Sequence, residues 1–218
     1  ARPMAAMGFC LLANVAVAAR YAQAVHGAER VLIVDLDVHH GNGTQEAFYE
    51  DPSVLFVSSH QGDIYPGTGH LAETGAGAGA GTTVNLPVPA GTGDELADLY
   101  RAVLPPLAAR FRPDLVLLSF GADAHRLDPL AGLDLSVAGL ADAVGVIQEV
   151  ADTHCAGRLV ATLEGGYHAE VLATCVAAVA RRLADPMAEI ADPFGPTARR
   201  TRDLGTLTEA IRGLHRLG

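Results

Sequence analysis

The chain has 218 residues, 50% of them hydrophobic and 18% charged, with a formal net charge of −10 and no Trp. That composition supplies the apolar mass of one sizeable core and excludes a disordered segment, a disulfide scaffold and a collagen-like fibre. The acidic balance, with no basic stripe to neutralise phosphates, argues against a nucleic-acid partner and mildly favours cationic ligands.

Residues 1–19 imitate a secretory signal, with Arg2 leading into an apolar run and small residues at Ala16 and Ala18. Asn14 interrupts the run and Arg2 is its only leading charge, so residues 9–25 read as a helix instead. No apolar stretch approaches the ~20 residues of a membrane span. Cys10, Cys155 and Cys175 show no C-x-x-C spacing, which suits buried thiols in a reducing cytoplasm. Four continuous apolar runs, at 30–38, 54–58, 115–120 and 158–163, predict buried parallel strands. Helical patterns at 44–49, 94–111, 136–151 and 168–184 lie between and after them. The alternation predicts an α/β fold whose parallel sheet is covered on both faces.

Two local features carry their own expectations. Pro105-Pro106 should bend or break the helix at 94–111, and the GAGAGAG run at 75–81 reads as a flexible surface loop. Past residue 184 the texture turns to Pro, Gly and Arg as far as 202. A last short helix follows, with a capping box of Thr206 and Glu209 and an apolar stripe of Leu207, Ala210, Ile211 and Leu214. The tail, 185–218, is expected to pack on the domain of 1–184 or on a partner subunit of a homo-oligomer.

In open parallel sheets, ligands bind beyond the carboxyl ends of the strands. The first strand runs VLIVDLDVHHGNGT, and its alternation predicts that Asp35, Asp37 and His39 point to one side. Two carboxylates and an imidazole at a buried strand end destabilise one another unless a cation holds them. A helix cap or turn would use one such Asp, not the whole D-x-D-x-H-H-G-N-G series. Gly41-Asn42-Gly43 brushes against a dinucleotide fingerprint, but Glu46 holds its third glycine position and would face a pyrophosphate with a carboxylate.

The third strand ends in SFGADAHRLDPL, where Asp123 is the natural third ligand and His125 and Asp128 stand nearby. Three protein ligands with an open position mark a catalytic zinc site, and oxygen-rich ligation leaves Fe(II), Mn and Co open. The fourth strand ends in LEGGYH, whose two glycines free Tyr167 to swing over the sheet edge as a donor to a developing oxyanion. The second gives weaker signals: Ser58 beside whatever Asp35 serves, and Tyr65 as a wall of a narrow channel.

The segments MGFCLLANVAVAA (7–19), DLDVHHGNGT (35–44), YPGTGH (65–70), GADAHRLDPLAGL (121–133) and EGGYH (164–168) together resemble the histone deacetylase superfamily. That superfamily also contains bacterial acetylpolyamine amidohydrolases and acetoin-utilisation proteins, and the resemblance covers most of residues 4–184. It implies a three-layer α/β/α fold of the arginase/deacetylase type, zinc on Asp37, His39 and Asp123, and Tyr167 polarising the amide carbonyl of an acetylated lysine or polyamine. It implies a channel lined by Phe9 and Tyr65, with Leu130 at its rim and Gly8 contacting the substrate. It further implies a structural K+ against Asp35, with Ser58 and backbone oxygens of Asp37, His39 and Ser59. An outer monovalent site would use carbonyls near Phe48, Asp51 and Val54.

One departure bears on activity. Members of the superfamily carry a Pro-Gly-His-His motif shortly before the MGFC segment, as general base and electrostatic partner. Counted along the pattern, the pair would fall just before Ala1, leaving Asp35 and Asn42 nothing to orient. The chain, which opens on Ala1, therefore reads as the C-terminal part of a deacetylase domain, inactive or nearly so alone. The competing readings are a non-catalytic metal-binding remnant and a manganese hydrolase of the arginase group. The second needs an Asp-x-Asp that Asp123-Ala124-His125 does not supply. All 15 basic residues are Arg, which with abundant Ala and Gly suggests a bacterial source.

Overall fold

The computed structural model describes residues 1–195, 197 and 203–218. Most of the Arg-rich stretch ahead of the last helix thus lies outside the described residues. Strands β1 (Val31–Asp35), β2 (Val54–Gln61), β3 (Thr83–Val88), β4 (Leu115–Phe120) and β5 (Leu159–Leu163) form one parallel sheet in the order β3-β2-β1-β4-β5. The helices are α1 (Asn14–His26), α2 (Asn42–Phe48), α3 (Leu96–Phe111), α4 (Val137–Cys155), α5 (Ala169–Ala184) and α6 (Gly205–His215).

Alternation along the strands divides the core into two layers. Val31, Ile33, Val54, Phe56 and Leu117 pack with Val15, Ala19 and Phe48, of α1 and α2, on one face. Leu32, Val34, Leu55, Val57, Val116 and Leu118 pack on the other with Tyr100, Leu104, Leu140, Ile147, Val179 and Ile211, of α3, α4, α5 and α6. The sheet is therefore the middle layer of three, and continuous apolar runs are what a strand buried on both faces requires.

Several boundaries differ from the sequence pattern for physical reasons. The first helix begins at Asn14, not at 9, because Gly8 and Phe9 adopt φ of +60° and break any helical path. β1 stops at Asp35, so only the first of the three alternating polar residues lies on a strand, and Asp37 and His39 sit in the bend that follows. β3 is absent from the expected set. β5 is an edge strand, not a buried one, with Val160 and Leu163 each more than half exposed. The 75–81 run is a packed turn around a short 3₁₀ helix, Gly77–Gly79. Its Ala76 N–H donates to Tyr49 O at 2.9 Å, and a Cβ on Gly79 would lie 2.7 Å from Asp51 N.

α3 runs unbroken through Pro105 and Pro106. α6 forms without the expected box: its N-terminus is Leu204, with no side-chain cap. Its buried stripe is Leu204, Ile211 and His215, while Ala210 and Leu214 face out. Starting at Gly205 brings Leu204 into the core and sets that face, which packs on α3 and β3 of the same chain.

Candidate metal centre

β1 and β4 are neighbours at the point where the strand order reverses, and a crevice opens there beyond the carboxyl ends. The segments leaving both strands turn into it. Asp37, His39 and Asp123 each offer one ligand atom, all within 4.8 Å of one another. His39 Nδ1 lies 3.2 Å from Asp37 Oδ1 and 3.3 Å from Asp123 Oδ2.

Backbone amides fix the carboxylates. Asp37 accepts from Gly165 N–H and His39 N–H, both at 2.8 Å, and Asp123 Oδ1 accepts from Val38 N–H at 3.0 Å. Glycine is required at the contact: a Cβ on Gly165 would lie 2.0 Å from Asp123 Oδ2 and 2.6 Å from Asp37 Oδ2. Asp123 Oδ2 is buried with no hydrogen-bond partner among the described residues. A buried carboxylate oxygen without a donor is costly unless a cation faces it.

The charges point the same way. Burial pushes the Asp123 carboxyl up to about 6 and holds Asp35 well above its usual range, the latter helped by Asp37. The carboxylates of Asp123 and then Asp37, close beside its ring, push His39 up to about 10. Burial also raises Glu164, which accepts from the Ser119 and Thr162 hydroxyls. An orphaned oxygen in a set of two carboxylates and one imidazole fits a divalent metal ion.

A cavity of about 660 Å³ is lined by Asp37 and His39 together with Gly8, Phe9, Tyr65, Leu130 and Tyr167. The Tyr65 ring meets His39 edge to face at 6.2 Å, and the Phe9 ring meets Tyr167 in the same way at 5.8 Å. Burial, then Asp123 and Asp37, pushes the Tyr167 phenol up to about 12, so it stays a donor at neutral pH.

Around Asp35, the structure separates the two serines. Asp35 O accepts from the hydroxyls of Ser59 and Tyr100, each at 3.4 Å, whereas Ser58 Oγ lies 3.1 Å from His60 Nδ1. At the outer position, Phe48 O accepts from Asp51 N–H, and Asp51 pairs with Arg20 at 2.6 Å. His125 meets the Phe194 ring edge to face at 5.5 Å and is not one of the three grouped ligand residues. Asp128 is the residue whose role the sequence left unassigned: it is buried, and its carboxylate accepts from Tyr167 N–H at 2.7 Å and Leu130 N–H at 3.0 Å. Its signal in the sequence is its place, with His125, just beyond the strand end that carries Asp123.

An α/β sheet with an Asp2His group at its switch point defines the kind of site that metal-dependent hydrolases carry. The chain belongs to the family of the histone deacetylase domain, which matches residues 1–183. It is 48% identical over 219 residues to "Histone deacetylase 10, chloroplastic" of Oryza sativa subsp. japonica, covering 99% of this chain and 49% of that protein. To the "Histone deacetylase-like amidohydrolase" of Pseudomonas aeruginosa it is 40% identical, covering 88% of this chain and 51% of that one. The crystal structure of the HD domain of HDA15 superposes with a TM-score of 0.84 at 37% identity, over 99% of this chain and 58% of that one. The chain spans about half the length of the curated relatives it matches. The three layers are accordingly those of the arginase/deacetylase fold. No described helix is long and apolar enough to cross a membrane.

Proposed function

We propose that this chain carries the metal-binding part of a zinc-dependent deacetylase that hydrolyses the acetamide of N-acetyl-lysine or an N-acetylpolyamine. The observation behind this reading is the Asp37–His39–Asp123 group beside a cavity walled by aromatic rings. Zinc suits a three-ligand set, with Fe2+ next. Bound there, the metal would supply Lewis acidity and a water of lowered pKa.

The chain's own residues do the rest. Tyr167, held protonated by burial and two aspartates, donates to the substrate's carbonyl oxygen as negative charge grows there. Such a donor is worth roughly 3–4 kcal/mol. Phe9 and Tyr65 flank the acyl group and exclude water, while Gly8 and Leu130 meet the substrate nearer the opening. The net charge of −10 favours a cationic stem. A structural K+ is assigned to Asp35, with Ser58 and the backbone oxygens of Asp37, His39 and Ser59. Residues 1–184 are the catalytic part and 185–218 a tail. The Lys-free composition and the free thiols support a bacterial cytoplasmic protein.

Proton transfer is the step these residues do not supply. No Pro-Gly-His-His motif occurs among the 218 residues. The imidazoles lining the cavity are His39, of the triad, and His40, whose nitrogens engage Thr68 at 2.7 Å and Gln45 at 3.0 Å. A general base is worth about 10²–10⁴ in rate, so the chain alone turns over slowly. The same observation favours the second reading, a metal-binding protein without turnover.

Acetate release from an acetyl-lysine peptide and from N-acetylputrescine, by the zinc-loaded chain with and without added imidazole, separates the two. Slow, zinc-dependent release that imidazole accelerates is the expected result. No release under any condition supports the non-catalytic reading, and failure to bind zinc overturns both.

A further inference from the structure

The loop that follows β2 is anchored on its inner side by two adjoining imidazoles, tilted 54° to one another. The rings of His40 and His60 lie 4.7 Å apart. His60 Nε2 lies 2.9 Å from Gly69 O, and His40 Nδ1 lies 2.7 Å from Thr68 Oγ1. Gly69 N–H donates to Glu73 Oε2 at 3.2 Å. Gly69 has φ of +85°, and a Cβ there would lie 2.5 Å from His60 Nε2 and 2.6 Å from His40 Cγ. The loop therefore rests its backbone directly on the imidazole pair. This fixes where Tyr65, four residues earlier, stands.

On its outer side, Tyr65 reaches across the cavity. Its phenolic oxygen accepts a hydrogen bond from Gly8 N–H at 3.1 Å, joining two segments far apart in sequence. Gly8 belongs to a tight turn closed by two hydrogen bonds between Met7 and Cys10. Gly8 and Phe9 both adopt φ of +60° there, and Phe9 is 86% exposed. Besides these bonds, the turn is held by Asn42 Nδ2, 3.3 Å from Met7 Sδ, and by the edge contact of Phe9 on Tyr167. For a non-glycine residue, left-handed backbone is strained and persists only where neighbours enforce it. A phenylalanine at position 65 would keep the ring and lose the bond.

We propose that Tyr65 is a specificity-determining positioning residue: its hydroxyl latches the Gly8–Phe9 turn to the anchored loop and so sets the width of the cavity mouth. Resting on the reading of that cavity as an acyl-amide channel, the latch holds the mouth at the size of a short acyl group. Without it, the turn swings outward and longer acyl chains enter.

Hydrogen exchange at Gly8, compared between the protein and its Tyr65→Phe variant, tests the latch without reference to catalysis. Exchange about three- to tenfold faster in the variant is expected, the range set by losing one ordinary hydrogen bond. Binding of acetyl-lysine and butyryl-lysine peptides to the zinc-loaded proteins is the second readout. The preference for acetyl is expected to fall by a similar factor. Thr68→Val, which frees the loop from His40 but keeps the phenol, should shift the preference the same way. Unchanged exchange at Gly8 overturns the latch. Faster exchange with unchanged acyl preference overturns its role in selectivity. Faster exchange with neither peptide bound supports the latch and overturns the channel reading on which the selectivity rests.

Discussion

Arg212 donates from Nη1 to Ala102 O at 3.0 Å, and Ala102 O is the carbonyl that residue 106 would bond if it were not proline. The last helix thereby satisfies an acceptor that the proline pair orphans. This gives one physical reason why α3 continues through Pro105 and Pro106 where the sequence predicts a break. Replacing Arg212 with Ala should cost about 1 kcal/mol, discounted from the range for a charged donor because Arg212 is partly exposed. Chemical denaturation checks this. In a Pro106→Ala background, where residue 106 regains its N–H, the cost of Arg212→Ala should shrink toward zero.

Runs such as 115–120 announce themselves because burial on both faces leaves only apolar residues, and β4 matches that run residue for residue. Thr83–Val88 does not stand out in the sequence, because Asn85 and Pro87 interrupt its apolar residues directly after a glycine-rich turn. β3 tolerates that proline because it is an edge strand. The exposure of β5 was equally hidden: the run at 158–163 shows apolar content, not which neighbours the strand has. In the metal centre, ligand types at strand ends could be read from spacing. The contributions of Gly165 N–H and Asp128 depend on backbone approach between segments 128 and 39 positions apart, which no local pattern records.

His215 gives the fold a pH dependence of predictable sign. Burial, and then the Arg110 guanidinium, lower its pKa from the usual value. Below the unfolded value of about 6.5, the unfolded chain therefore binds protons that the folded chain resists. The stabilisation is fully present above that pH and is lost as pH falls toward the depressed folded value. His215→Gln should flatten this part of the melting-temperature profile between neutral and mildly acid pH. A difference profile isolates the contribution, since His40 and His60 are also lowered by burial.

Gly165→Ala tests the metal centre through the backbone rather than the ligands. The added methyl would fall 2.0 Å from Asp123 Oδ2, so either that carboxylate or the 164–166 segment must shift. Roughly 10–100-fold weaker zinc binding is expected, the scale for disturbing the groups that orient metal ligands. Equilibrium metal titration reads this directly. Equal zinc affinity in the variant would show that Asp37, His39 and Asp123 do not hold the ion as a set.

Asp128 should prove necessary for catalysis without binding metal. Its carboxylate receives the backbone N–H groups of both Tyr167 and Leu130, so it holds a proposed oxyanion donor and a wall residue from one point. Asp128→Ala leaves two amides without an acceptor and frees the segment that carries the phenol. Acetyl-amide hydrolysis should fall by about 10²-fold, within the range for losing such a donor, while zinc affinity stays unchanged. Asp128→Asn keeps one carbonyl oxygen and should lose less. The decisive comparison is with Tyr167→Phe: if Asp128 acts through Tyr167, the double variant is hardly slower than Tyr167→Phe alone. Additive losses would place Asp128 on a separate route to the chemistry.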